Sequence, residues 1–479
     1  MKLTELKARE LIEGYKNRDF SCEEVTKAYI ENIKEKENEI NAYVTVCEDK
    51  AIESAKKIDE KFRNREEVGL LAGIPISVKD NIALKDVRMT CSSKILENFI
   101  SPYDAIVSER IKKNDGVILG KVNMDEFAMG VSTKTSYFGV SKNPLNTKLV
   151  SGGSSGGSAA SIAAYEAALS VGTDTGGSTR QPASFCGVVG IKPTYGTIPR
   201  YGVTSMANTF DQVGSMARDV EDAFLLLKAL EGRDVKDATS VGNEEYRKNL
   251  TVEYADEFLK NLNIAIPKFI LEMELQDRVK EDFNKAIKIF EDAGAKISYV
   301  DLESIKYVVE TYHILVNGEI APNLARFDGL RYGSRLSGDN YEDMFRKTRG
   351  EGFGSEVKKR IMIGTHILSL ELAKDYYYKA LKVRSLIKRD IENVLNSNQI
   401  LMTPTVPRLP FKIDEQMRSV DLYMTDLFTI PANMAGLPSM SVPMPKGEDG
   451  LSVGILLNAA RFKDMDMINA ALGFERRVK

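Results

Sequence analysis

Few side chains in this sequence can start a reaction, and that shortage narrows the chemistry. There are two histidines, His313 and His366. A Ser/His/Asp hydrolase would need one of them beside a nucleophile elbow, and GxSxG occurs only loosely, in turns built almost wholly of glycine and serine. An imidazole metal site would need more ligands, and the carboxylates show no HExxH-like grouping. A Walker A loop fails as well, because "GVILGKV" at Gly116 lacks both the spacing and the hydroxyl. What remains is a lysine. Lys79 follows the apolar stretch "GIPISV", where a strand would carry it into a sheet and strip it of water. An ordinary lysine is neutral in only about one molecule in 2,500 at pH 7 and is useless as a base. Lowering its pKa by roughly three units costs about 4 kcal/mol of charge stabilisation, which apolar burial can supply. A lysine so placed can deprotonate a serine, directly or through a second hydroxyl that donates and accepts at once. A lone strand-end lysine more often snorkels to solvent.

The hydroxyls come from two turns. Ser151 to Ser158 is nothing but serine and glycine, and a second Gly/Ser turn lies at Gly176, Gly177 and Ser178. A flexible linker would have polar, unordered neighbours. Here an alanine-rich helix former with Ile162 and Tyr165 begins at Ala159, so the glycines open a helix. Helix-opening amides also bind anions, which keeps a phosphate cradle as an alternative use of the first turn.

The elements that must position these groups read as an α/β pattern. "SCEE" at Ser21 to Glu24 has capping-box form, followed at helical spacing by Val25, Ala28, Tyr29 and Ile33. Helix dominates to about residue 68. From "LLAGIPISVKDN" to about Gly190 strand-like runs alternate with helical ones, the pattern of a sheet covered by helices. "NLNIAIPK" reads as a strand, Val279, Phe283, Ala286, Ile287 and Phe290 as a helical stripe, and "AKISYVDL" follows. A long helix is expected around Leu368 to Leu395, then strands at "QILMTPTV", "SMSVPM" and "LSVGILL". With no repeat or convincing linker, the 479 residues are expected to form one domain with a less regular insertion within about 190–430.

Bulk properties exclude some partners. Lys plus Arg number 66 against 69 Asp plus Glu, a net charge of −3, with no basic stripe for gripping nucleic acid directly. The charged start "MKLTELKARELIEGYKNRDF" lacks the core of a signal peptide, no apolar run approaches a membrane span, and the four cysteines have no CxxC spacing. A cytoplasmic setting is expected.

Lys79 in "GIPISVKDN", Ser154 in "GGSSGGSAA" and Ser178 in "TDTGGSTRQPASFCGVVGIKPTYG" resemble, in order and spacing, the signature of the amidase signature family. The match is most specific between about residues 70 and 220. The resemblance implies an α/β fold with a large mixed twisted β-sheet sandwiched between α-helices. It implies a Ser/Ser/Lys mechanism with Ser178 as nucleophile, Ser154 as the bridging serine held by a cis peptide, and Lys79 as general base. The amides of Thr175, Gly176, Gly177 and Ser178 would form the oxyanion hole, and Arg180 would brace the turn. Ser151, Thr179 and Ser215 depart from the family pattern without removing a reactive group.

"LARFDGLRYG", "TRGEGFGSEVKKRIMIGTHILS" and "YYYKALKVRSLI" further resemble the glutaminase subunits of tRNA-dependent amidotransferases. That resemblance implies glutamine as substrate, bound by Tyr312, Arg360 and Asp426. Guanidinium would clamp the α-carboxylate and carboxylate would answer the α-ammonium. It implies ammonia delivery, in a heterotrimer with B and C subunits, to a partner that amidates Glu-tRNA(Gln). Whether Asp-tRNA(Asn) is also served stays open. ATP and Mg are expected at the partner, which would also hold most of the tRNA, with no cofactor or metal in this chain. A stand-alone amidase of the same family is the alternative.

Overall fold

The computed structural model describes residues 2–243 and 252–478. Its central feature is an 11-stranded mixed sheet. The strands are β1 (Tyr43–Val46), β2 (Pro75–Lys79), β3 (Val117–Val122), β6 (Leu169–Asp174), β7 (Val189–Lys192), β8 (Gln212–Ala217), β9 (Asn263–Pro267), β10 (Lys296–Val300), β11 (Ile400–Pro404), β12 (Ser439–Pro443) and β13 (Gly454–Ala459). They lie in the order β1-β3-β2-β6-β8-β7-β12-β13-β11-β9-β10, and β4 (Lys142–Asn143) with β5 (Asn146–Val150) forms a separate hairpin.

Every residue of β2, β3, β6, β7, β8, β11 and β13 is buried, so both faces of the sheet are covered. The edge strands β1 and β10 are the ones with exposed residues. Helices Gly156–Ala163, Arg180–Cys186, Val220–Leu230 and Asp464–Val478 pack on these strands. One large apolar cluster runs through the structure, with a small satellite of Val150, Phe185, Val406 and Phe411. Among the described residues no helix is long and apolar enough to cross a membrane.

Local chemistry explains several element boundaries. Helix Cys22–Ile40 starts on the expected capping box, with the Ser21 hydroxyl accepting from Glu24 N and the Glu24 carboxylate accepting from Ser21 N. Helix Asp277–Asp292 buries Val279, Phe283, Ala286, Ile287 and Phe290. Two expectations need correction. The helix following the first Gly/Ser turn begins earlier, at Gly156, and ends at Ala163, because Tyr165 turns left-handed at φ 60°. The long helix expected from Leu368 begins only at Tyr377. Leu368 is 38% exposed and Leu370 100%, so the run before Tyr377 buries too little apolar surface to hold a continuous helix.

The sheet brings the reactive residues together. β2 and β6 are parallel neighbours, with Ile76, Ser77 and Val78 level with Leu169, Ser170 and Val171. Lys79 and Asp174 therefore end their strands on the same side of the sheet. The two Gly/Ser turns sit there, each leading into a short helix.

Candidate active site

Lys79 is 0% exposed. Its Nζ lies 2.8 Å from Ser154 Oγ, 2.8 Å from Thr173 Oγ1 and 3.4 Å from Thr173 O. Burial pushes this amine down to about 7, against the opposing pull of Asp125, Asp174, Asp211 and Cys91. The three contacts also fix where its lone pair goes. A neutral amine keeps two N–H bonds, which the Thr173 oxygens can accept, leaving the lone pair to receive a proton from Ser154. Asn81 Nδ2 donates to Thr173 Oγ1 from another side at 3.1 Å.

The two turns are tied through their backbones. Ser155 N donates to Ser178 O at 3.1 Å, Ser155 Oγ donates to Thr173 O at 3.0 Å, and Gly153 N donates to Gln181 Oε1 at 2.9 Å. The Gly153–Ser154 peptide is cis. The first turn is buried throughout, with Ser158 Oγ committed to Val171 O. It has no open face for a phosphate, and it is no linker. Ser178 is the partly exposed residue of the second turn, and its hydroxyl has no hydrogen-bond partner among the described residues.

Asp174 organises the second turn. It accepts from Gly177 N and Thr179 N, each at 3.0 Å, and from Asn433 Nδ2 at 2.9 Å. Arg180 grips it bidentately, at 3.0 Å through Nε and 2.8 Å through Nη2. That guanidinium holds the carboxyl well below the usual carboxylate range although burial opposes it. Arg180 is itself fully buried and also donates to Thr429 O and Ser439 Oγ. It braces the turn. The Gly177 amide differs from expectation, because its one hydrogen is engaged by Asp174. The amides of Thr175, Gly176 and Ser178 have no protein partner among the described residues.

Glycine is required where the turn meets the other half of the site. A Cβ on Gly176 would stand 2.5 Å from Tyr312 Oη. Gly177, at φ 143°, would place one 2.2 Å from Thr429 Oγ1. Tyr312 rises from helix Val308–Leu324 and packs edge-on to Phe210.

Arg360, on helix Ser355–Ile367, is 6% exposed. Its Nε donates to Glu356 Oε1 at 2.8 Å and its guanidinium stands 5.8 Å from the Tyr423 ring, while its two terminal nitrogens have no protein partner among the described residues. Asp426 Oδ1 is buried with no hydrogen-bond partner. Burial first, then repulsion from Asp174, pushes the Asp426 carboxyl well above its ordinary value, against the attraction of Arg180 and Arg360. Tyr312 lies within electrostatic reach of both Asp426 and Arg360. Tyr312 borders Gly176 and Asp426 borders Gly177, and Arg360 stands within electrostatic reach of both side chains.

His313 is pushed down to about 3 by burial and by Arg360 and Lys359, and it is neutral at physiological pH. Its ring lies 3.9 Å from that of Tyr423, centroid to centroid, at a tilt of 36°. Thr173, Asp174, Glu356 and Asn433 are contributors that the sequence reading missed. "TDTGG" contains the first two, but polar residues at a strand end are too common to single out.

A family model described as "Amidase" matches residues 24–468. The A subunit of glutamyl-tRNA(Gln) amidotransferase from Clostridium botulinum strain Kyoto is 46% identical over 482 residues, covering 100% of this chain and 98% of that protein. The crystal structure of the protein of that name from Thermotoga maritima superposes with a TM-score of 0.81 at 37% identity, covering 99% of this chain and 95% of the other. Native peptide amidase from Stenotrophomonas maltophilia superposes with a TM-score of 0.82 at 26% identity, covering 99% and 97%.

Proposed function

We propose, from the premise that this chain belongs to the amidase family, that it is the glutamine-hydrolysing subunit of a tRNA-dependent amidotransferase. The observation that carries the substrate is Asp426 Oδ1. It is a buried carboxylate oxygen with no donor, within electrostatic reach of an arginine with unused terminal nitrogens. An α-amino acid presents the matching ammonium and carboxylate, and a simple amide does not.

The chemistry follows from the other half of the site. With substrate bound, the free Ser178 hydroxyl turns to Ser154; neutral Lys79 takes a proton from Ser154 as Ser154 takes one from Ser178, and Ser178 Oγ attacks the side-chain amide carbon. Negative charge on the carbonyl oxygen is met by the amides of Thr175, Gly176 and Ser178. The carbon–nitrogen bond breaks as the proton returns from Lys79 through Ser154 to the leaving nitrogen, giving ammonia and an ester on Ser178. Water then attacks the ester by the same relay, glutamate leaves, and Lys79 is neutral again.

Ammonia released here passes to a partner subunit that converts Glu-tRNA(Gln) to the amidated form with ATP and Mg bound there. This chain works in the cytoplasm with two further subunits and leaves most tRNA contact to them. The whole chain acts as one amidase domain, in which segments between about 190 and 430 supply the amino-acid cradle. Likeness to a peptide amidase supports a second reading, a stand-alone amidase acting on another small amide.

The deciding experiment tags the chain in its native cell and weighs what co-purifies, then measures ammonia release from glutamine. Two further subunits in equal amounts and turnover of glutamine support the amidotransferase. A chain that purifies alone and ignores glutamine overturns it in favour of the stand-alone enzyme.

A further inference from the structure

Glu126 lies outside the relay yet touches both halves of the site through its neighbours. Asp125 N donates to Ser154 O at 3.2 Å, tying one end of a short strap to the turn that carries the bridging serine. Phe127 and Ala128 follow in the left-handed region, at φ 49° and 64°, which folds the strap sharply. Glu126, 3% exposed, extends from this bend to the segment that opens helix Ser355–Ile367.

Both Glu126 oxygens accept from Gly354 N, at 2.9 and 3.2 Å, across 228 residues of sequence. Gly354 is the N-cap of that helix, and the Glu126 carboxylate takes up its backbone N–H beside the positive end of the helix. Ser93 Oγ donates to the same carboxylate, and the Phe127 and Phe353 rings meet edge-on at 5.6 Å. The fit is close: a Cβ on Gly354 would stand 2.3 Å from Glu126 Oε2. Arg360 lies further along the helix so held.

We propose that Glu126 is a positioning residue: it fixes helix Ser355–Ile367, and with it Arg360, relative to the catalytic serines. It thereby sets how long a side chain fits between the carboxylate clamp and Ser178. The inference rests on the glutamine reading given above and adds to it the element that measures substrate length.

The test is steady-state kinetics with glutamine on the protein as it purifies, with whatever subunits accompany it. Glu126→Ala raises KM about tenfold while kcat stays within about threefold. Glu126→Gln keeps an oxygen for Gly354 N–H and stays within about threefold of wild type in KM. In an Arg360→Ala background, Glu126→Ala adds less than about twofold, because the residue through which it acts is gone. Gly354→Ala, which crowds the carboxylate from the other side, reproduces the KM effect and serves if Glu126→Ala fails to fold. A fall in kcat matching the rise in KM, or a full effect persisting without Arg360, overturns the proposal while leaving glutamine hydrolysis intact. A wild-type protein that releases no ammonia from glutamine overturns the substrate reading and this inference together.

Discussion

The half of the site around Lys79 and Asp174 and the half around Arg360 and Asp426 differ in how completely their polar groups are used. On the first side nearly every buried polar group has a partner: Lys79 Nζ has three hydrogen-bond partners, and Asp174 accepts five hydrogen bonds, two from Arg180 and one each from Gly177, Thr179 and Asn433. On the second side Asp426 Oδ1 has none, and Arg360 commits Nε while leaving its terminal nitrogens free. The lesson is physical. Groups that move protons must be held still before substrate arrives, whereas groups that recognise a zwitterion are completed by it.

This comparison can be broken in several ways, and the largest expected effect comes first. Ser178→Ala should lower ammonia release from glutamine by about ten-thousandfold or more. Far-ultraviolet circular dichroism should not change, since the Ser178 hydroxyl holds nothing else; residual wild-type turnover would sink the relay. Asp174→Ala strikes the most heavily bonded group of the first half. Leaving buried Arg180 without its carboxylate should cost about 3 to 5 kcal/mol in urea unfolding. A cost under about 1 kcal/mol would mean the brace is not structural.

Arg360→Ala probes the open half. It should raise KM for glutamine by about 10- to 100-fold, the worth of hydrogen bonds to a charged group, and leave hydroxylamine attack on a preformed acyl enzyme nearly unchanged. Equal losses in both assays would place Arg360 among the reacting groups and erase the contrast between halves. The effect of pH is the smallest for a single step of one unit. Since the Lys79 amine sits at about 7, it takes up a proton as pH falls through that value and ceases to be a base. The rate should fall about tenfold per unit below pH 7 and level off above it. In Arg360→Ala the same inflection should persist, and a profile flat from pH 5 to 9 would rule out lysine as the titrating base.

Much of the first half was legible in the sequence because its signals are local. A lysine at the end of an apolar strand and two glycine-rich turns are visible within windows of about ten residues. The sheet itself was legible as an α/β alternation, and the brace on Arg180 was expected. The contacts that complete the site were not. Asn433 bonds Asp174 across 259 residues and Glu126 meets Gly354 across 228, distances at which no spacing rule operates. Strand order was equally hidden, since β8 lies between β6 and β7. The misplaced start of helix Tyr377–Ser397 has the same cause: Leu370 before it is fully exposed, and only tertiary structure says so.

The serine and glycine turn at 151–158 has one more consequence. Its alphabet is the poorest in the chain, yet its freedom in space is among the least. A methyl group on Gly153 would fall 2.0 Å from Asp125 Oδ2, and one on Gly157 would fall 2.5 Å from Asn123 O. Monotony here records crowding rather than looseness. Saturation mutagenesis should find this stretch less tolerant than the varied, charged helices around it, and a filter that discards segments of biased composition as spacers would remove the turn that carries Ser154.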